Sequence, residues 1–353
     1  MSICLVMIVK DEEDIIERAL RSALPHVDSY CIVDTGSTDS TIATIKKVCE
    51  GVKGVIHERP WVNFGHNRSE ALDLARPMAS WSLMLDADDI LHFEKPILPN
   101  NVKGMYMKIV LGSVIYRRVT LFNNAYQWKY VGAVHEYPDC PDCINIGVLP
   151  STVWIEAHTE GARSKDPNKY VKDAELLEKE IEKDPYNTRA IFYAAQSWRD
   201  AGVPQKAKEW YIRCLESNSW VQEKYVSLLN LIRLTTDINE KYKLAWNAIN
   251  ICPERIEVTY ELLKATREKS EWSLQAYALG LLANKQSRKP EDFLFVEQPI
   301  YDYLFDDEYS IHCYYLGYDS ESARSAFRAM SNAPPAHKLR IRVNYEFALK
   351  RLN

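Results

Sequence analysis

The chain has 353 residues, 46% of them hydrophobic, enough for at least two cored domains. Its net charge of -5 and pI of about 6.0 give no global attraction to nucleic acid or to an anionic membrane. No run approaches the ~20 apolar residues of a membrane helix, and the eight scattered cysteines point to reduced thiols in a cytoplasmic setting.

The opening "SICLVMIV" reads as a buried first strand. Acids follow it at once, without a basic start or a small-residue cleavage site, so it is not read as a signal peptide. "DEEDIIERALRSALP" places Ile15, Ile16, Ala19, Leu20 and Ala23 at helical spacing, with acids in the first turn where the helix dipole favours them. "SYCIVD" is a second strand, ended by the turn "TGSTD". Ser37 or Thr38 can cap the next helix, "STIATIKKVCE". "KGVIHER" and "WSLMLD" are further strands, with the helix "NRSEALDLARPMA" between them. Strands alternating with such helices predict right-handed βαβ units and a mostly parallel sheet. Ligands of such sheets bind at the carboxyl ends of the strands. "VDTGSTD" and "LDADD" both stand at carboxyl ends, so they belong to one site. "GMYMKIVLGSVIYRRVTLF" and "VLPSTVWIEAH" read as later strands, and Cys140-Pro141-Asp142-Cys143 as a loop hairpin, since zinc would need two more ligands.

The pattern changes near residue 164. The expected domains are 1–164, α/β, and 165–353, all helical. Pro185 and Pro253 lie two 34-residue periods apart, with Ser219 at the midpoint. Ala195, Trp198, Gly202, Ala207 and Tyr211 fall where a tetratricopeptide helix pair has its small and aromatic packing positions. Such pairs stack into a short solenoid.

The carboxylates Asp86, Asp88 and Asp89 end an apolar strand, which is costly unless positive charge sits there. In an extended segment alternate side chains share a face, so Asp86 and Asp88 point the same way. Asp89 can cap the following turn, and Asp39 reads as an acid at a helix N-terminus.

With these pieces in order, the first part of the chain resembles the family 2 glycosyltransferases of the GT-A fold. It looks like the branch in which tetratricopeptide-like helices follow the catalytic domain. The resemblance covers roughly residues 1 to 215 and rests on "MIVKDEEDIIERALRS", "IVDTGSTDST", "NFGHNRSEAL", "LMLDADD", "WKYVGAVHE" and "FYAAQSWRDAG". It implies a metal-dependent, inverting transfer of a hexose from a nucleotide sugar, with a UDP-sugar as default donor. Asp34 would bind the base or ribose, with Thr35, Gly36 and Ser37 forming the tight turn. Arg68 would face the nucleotide or diphosphate. Asp86 and Asp88 would hold Mn²⁺ or Mg²⁺, with His158 as a third ligand. Glu136 would be the acceptor base and His135 its orienting neighbour, with Asp139 as the alternative base or an ion pair to Arg117 or Arg118 as a structural role. Ser69 and Gly65 depart from the family's usual asparagine and serine, which bears on the choice of donor sugar.

Stacked helix pairs make concave grooves, which suggests a protein or peptide acceptor or self-association; a glycan acceptor is equally compatible. Two other classes compete. A degenerate transferase domain on a protein-binding solenoid would be a non-catalytic scaffold; the retained acids, Arg68 and His-Glu speak against it. A nucleotidyltransferase would show a Gly-rich basic loop after the first strand, where "VKDEED" stands.

Overall fold

A computed structural model describes residues 2–94, 96–99, 101–112, 114–141, 145–285 and 294–352. The chain divides into two compact units, Met1–Asp184 and Pro185–Asn353.

In the first unit, β1 (Ile3–Val9), β2 (Ser29–Asp34), β3 (Gly54–Glu58) and β4 (Trp81–Met84) run parallel in the order β3-β2-β1-β4. The helices between them are α1 (Ile16–Ala23), α2 (Thr41–Val48) and α3 (Phe64–Ala75). Alternation along β1 feeds two cores. Ile3, Leu5, Met7 and Val9 pack with Ile16, Leu20 and Ile45 on one face. Cys4 and Val6 pack with Ala71, Leu72 and Ala75 on the other. Both faces are covered, so β1 has no solvent side and reads as a continuous apolar run.

The expectation of a mostly parallel sheet needs correction: the sheet is mixed and strongly curled into a half-barrel. After β5 (Ile90–His92) come β6 (Gly104–Leu111) and β7 (Val114–Asn123), a long antiparallel hairpin. A crossover to a parallel partner needs a dozen or more residues, and the link between these strands is far too short for one. β7 then pairs antiparallel with β4, which reverses the sheet. β8 (Lys129–Val131) and β9 (Tyr137–Asp139) form a separate small ribbon. β10 (Ile146–Val148) and β11 (Trp154–Glu156) join β6 in parallel, and β11 takes β5 as an antiparallel neighbour. Helix α4 (Lys169–Lys183) closes the unit, and its Glu180 carboxylate accepts the Ala133 N–H at 2.8 Å.

The β8–β9 ribbon rests on α3 through backbone. Phe64 N donates to Ala133 O at 3.1 Å. Ser69 Oγ donates to Gly65 O at 2.6 Å and accepts from Tyr130 N at 2.8 Å. A Cβ at Gly65 would lie 2.2 Å from Gly132 O. Glycine is therefore required by a backbone-to-backbone approach, and a serine there would not fit.

In the second unit every described element is helical. It holds α5 (Thr188–Asp200), α6 (Pro204–Glu216), α7 (Val221–Leu234), α8 (Ile238–Ile251) and α9 (Glu257–Glu268). Then come α10 (Leu274–Asn284), α11 (Phe305–Tyr315), α12 (Asp319–Asn332) and α13 (Pro335–Leu352). Ala195, Trp198, Ala207 and Tyr211 are buried, and the Tyr211 hydroxyl donates to Gln196 across α5 and α6. Two charge networks tie the helices together. Arg255, wholly buried, contacts Glu257 at 2.7 Å and Gln222 at 2.7 Å, while the Tyr225 and Tyr301 hydroxyls donate to the same Glu257. On α11, Asp306, Asp307 and Glu308 pair with Arg328, Arg340 and Arg267 on α12, α13 and α9. Three consecutive helical residues point about 100° apart, so one turn of α11 reaches three neighbours. No described helix is long and apolar enough to cross a membrane. The seven described cysteines are free and buried; Cys143 of the C-x-x-C lies outside the described residues.

Two outcomes are expected. Arg255→Met leaves the Glu257 carboxylate buried without its cation. It should cost about 3–5 kcal/mol, the usual cost of breaking a buried pair, read from urea unfolding. Gly65→Ala should lower stability by about 1–3 kcal/mol, as overpacking does. Amide exchange should then rise at Val131–Glu136, the segment that must move; unchanged exchange there would contradict the contact.

Candidate functional site

Parallel strands β1, β2 and β4 end side by side; β2 ends in Asp34, and acids follow within three residues of the ends of β1 (Asp11, Glu12) and β4 (Asp86). Asp34 closes β2, 2% exposed. Its Oδ2 accepts from Gly36 N and Ser37 N, both at 3.0 Å, which shapes the turn that Gly36 completes at φ 105°. Its Oδ1 is buried with no hydrogen-bond partner among the described residues. Thr35 donates from its hydroxyl to Val9 O at 3.1 Å and ties the ends of β2 and β1 together. Asp11 and Ser37 add a second tie: Asp11 N donates to Ser37 Oγ at 2.9 Å. Asp39 accepts from Thr41 N at 3.0 Å at the start of α2, and although burial opposes it, the Thr41 hydroxyl and N–H hold its carboxyl below the usual range.

After β4 the burial alternates. Asp86 and Asp88 are half-buried, and Ala87 and Asp89 are buried. The four residues form a turn in which Asp89 N donates to Asp86 O at 3.2 Å, so the extended segment expected here is not present. Asp86 accepts from Arg68 Nη2 at 2.6 Å and meets Arg118 Nη2 at 3.5 Å. Burial alone would raise its carboxyl; the charges of Arg68 and Arg118 override this and hold it at about 2. Arg68, on α3, lies under the Tyr130 and Phe64 rings and is only 8% exposed in its side chain. Its Nε is 2.7 Å from Glu136 Oε1 but is not aligned as a hydrogen bond, so that contact is one of charge against charge. Arg68 thus touches both the strand-end aspartate and the ribbon glutamate. His135 beside it is exposed at φ 54°, a left-handed backbone uncommon for a residue with a side chain. Asp139 lies 3.6 Å from Lys129 across the ribbon.

The loop after β11 lies on the remaining acids. Asp88 Oδ2 accepts from Gly161 N at 3.2 Å, and Glu12, past the end of β1, accepts from Ala162 N at 3.1 Å. Arg18 Nη2 donates to Asp88 O at 2.8 Å and pairs with Glu160 at 2.7 Å. These contacts do not offset the crowding. Burial pushes Glu12 up to about 7, and burial together with the Asp86 charge raises Asp88 and takes Asp89 to about 8. Asp89 accepts the His158 N–H at 3.3 Å. The His158 ring is 3.3 Å from Glu156, which also meets His92 at 3.1 Å.

The donor chemistry of this edge suits a hard divalent cation, since it gathers carboxylate oxygens, the ligands such ions prefer. Among the described residues, no group of three or more His, Cys, Asp or Glu stands in an arrangement that holds a metal, so no coordination geometry is assigned. One site residue, Glu12, was not singled out from sequence. Arg118 was named only as a possible ion-pair partner of Glu136; the structure sets it against Asp86 instead, and Arg68 against Glu136. Glu12 was visible in "VKDEED", at the end of the strand between the two acidic strand ends that were read.

Residues 4–169 match the family model described as glycosyl transferase family 2. A TPR repeat-containing protein of Synechococcus elongatus is 36% identical over 92 residues, 26% of this chain and 22% of its own length. An uncharacterised glycosyltransferase of Rickettsia conorii is 35% identical over 88 residues, 25% of this chain and 29% of its own length. The chain thus matches less than a third of either relative. A fragment of S. aureus TarS solved in complex with UDP-GlcNAc shares 14% identity at a TM-score of 0.38, over 84% of this chain and 95% of that one. Residues 4–169 thus match the glycosyl transferase family 2 model, and a wholly helical set of described elements follows them.

Proposed function

We propose that the protein is a metal-dependent, inverting glycosyltransferase that moves a hexose from a nucleotide sugar, by default a UDP-sugar, to a glycan or protein acceptor. The observation that carries this reading is Arg68, which touches a strand-end carboxylate, Asp86, and the ribbon carboxylate, Glu136, at once.

Asp34 offers its unpartnered oxygen to the N–H or O–H donors of a base or ribose. The Thr35-Gly36 turn lets the backbone come close. Arg68 presents a guanidinium to the diphosphate, a pairing its planar fork suits. Asp86 and Asp88, with His158 as the third ligand, would hold Mn²⁺ or Mg²⁺. A bound divalent cation supplies positive charge against the departing nucleoside diphosphate. Glu136 takes the proton of the acceptor hydroxyl, and His135 orients it or the acceptor. The helical region serves acceptor binding or self-association.

UDP at 100 times its Kd should stabilise the protein by about 2.7 kcal/mol, seen as a raised melting temperature with Mn²⁺ and a smaller shift in chelator. Equal shifts in both would remove the metal from the reading.

A second expected outcome separates the roles. Glu136→Gln keeps the shape and removes the basicity, so transfer should fall roughly 10²–10⁴-fold with UDP binding near the parent's. Asp88→Asn should weaken UDP binding in Mn²⁺ and lower transfer together. Transfer by Glu136→Gln at the parent rate would move the base to Asp139. UDP binding without transfer or hydrolysis under any metal would favour a non-catalytic scaffold.

A further inference from the structure

The helical unit holds a pocket of about 360 Å³, walled by Arg267, Trp272, Tyr314, Tyr315, Asn344 and Phe347. It is formed by the end of α9 and the turn after it, and by α11, α12 and α13. Ser270, at φ 55°, bends the chain so that Trp272 turns back onto α11. There the Trp272 and Tyr315 rings lie parallel, 4.0 Å apart at 8°. Tyr314 stands perpendicular to Tyr315. The Arg351 guanidinium holds Tyr314, 3.7 Å from its ring, and donates to its carbonyl at 2.8 Å. Aromatic walls are therefore fixed at right angles before any ligand arrives. Tyr315 remains 57% exposed and Phe347 48%.

The polar wall is fixed as well. Arg267 Nε donates to the buried Glu308 at 2.7 Å, and Asn344 Nδ2 donates to the buried Asp307 at 3.1 Å. Arg340 compensates Asp307 in turn. The charges at the wall are thus paired, and the pocket carries no excess of either sign to recruit an ion. Its volume lies at the lower end of the roughly 300–1,000 Å³ of small-molecule sites, which suits one ring-sized unit rather than an extended chain.

We infer that this pocket binds a neutral sugar unit of a glycan. A pyranose has C–H faces that lie on aromatic rings and hydroxyls at its rim that meet amide and guanidinium donors. Fixed aromatic faces, oriented uncharged or paired polar groups and ring-sized room together select that chemistry over an ion or a lipid tail. Choosing a sugar over other neutral rings rests on the transferase reading; the pocket would then hold the acceptor or its product.

The test uses the full chain on an array of neutral oligosaccharides, without donor or metal, with retained glycans titrated by calorimetry. The parent should retain at least one neutral glycan. Trp272→Ala and Tyr315→Ser should each weaken that binding about tenfold or more. The Mn²⁺-dependent UDP melting shift should stay as in the parent. Tyr315 is exposed enough that its variant keeps the fold, which a circular dichroism melt verifies if Trp272→Ala fails to fold. No neutral glycan retained, retention only of charged glycans or peptides, or equal binding by Tyr315→Ser overturns the inference. Loss of the UDP shift in the parent strikes the donor-site reading instead and leaves the glycan result legible.

Discussion

The first unit is organised around one buried cation. Arg68 stands on α3 with almost no solvent contact, between Asp86 and Glu136. A guanidinium withdrawn from water is tolerable only with carboxylates in place, and removing one partner leaves an uncompensated charge. The other features serve that placement. Asn63 caps α3 by accepting from His66 N at 2.8 Å. Ser69 pins the ribbon strand to the same helix. The sheet brings Asp86 to its edge, and Arg118 reaches it from β7.

The parts of this arrangement differed in how far the sequence revealed them. β1 to β4 and the helices between them were legible, because each is short, strongly patterned and bounded by turn residues. The clustering of Asp86, Asp88 and Asp89 past the end of β4 was legible as a run of letters. Their arrangement was not, since β4 ends at Met84 and the acids stand in a turn closed by Asp89 N on Asp86 O rather than in an extended segment. The mixed sheet was not legible either. Whether β7 docks on β4 or elsewhere depends on non-local pairing, and period-two alternation looks the same in either direction. The short strand "ILH" after Asp89 carries too few residues for any pattern. The pairing of Arg118 with Asp86 spans thirty-two residues and depends on register, which an irregularity between Met105 and Tyr106 shifts in the neighbouring strand pair. The seating of the ribbon on α3 rests on the Phe64–Ala133 backbone bond, the Gly65 approach and one hydroxyl, Ser69 Oγ, so no side-chain periodicity announces it.

The helical unit shows a related limit. "FDDEYS" looks like a solvated acidic face, yet Asp306, Asp307 and Glu308 are all buried. Their burial is tolerated because each finds an arginine on a different helix. Such charges specify which helices become neighbours, since a slipped packing would strand a carboxylate. They also hold Arg267 and Asn344 in fixed positions, so the core of the unit sets the shape of its surface pocket.

The approach of Gly65 to the Gly132 carbonyl has an effect on how the domain can vary. With no side chain in the gap, residue 65 acts as a spacer of minimum thickness between α3, which bears Arg68, and the turn that leads to Glu136. Any larger residue must push the turn outward, and the turn carries Glu136 with it. The size of one residue outside the charge cluster therefore gauges how far the glutamate stands from the arginine. A chain that widened this gap would have to re-pair its buried cation in the same step, which keeps the two positions from drifting independently.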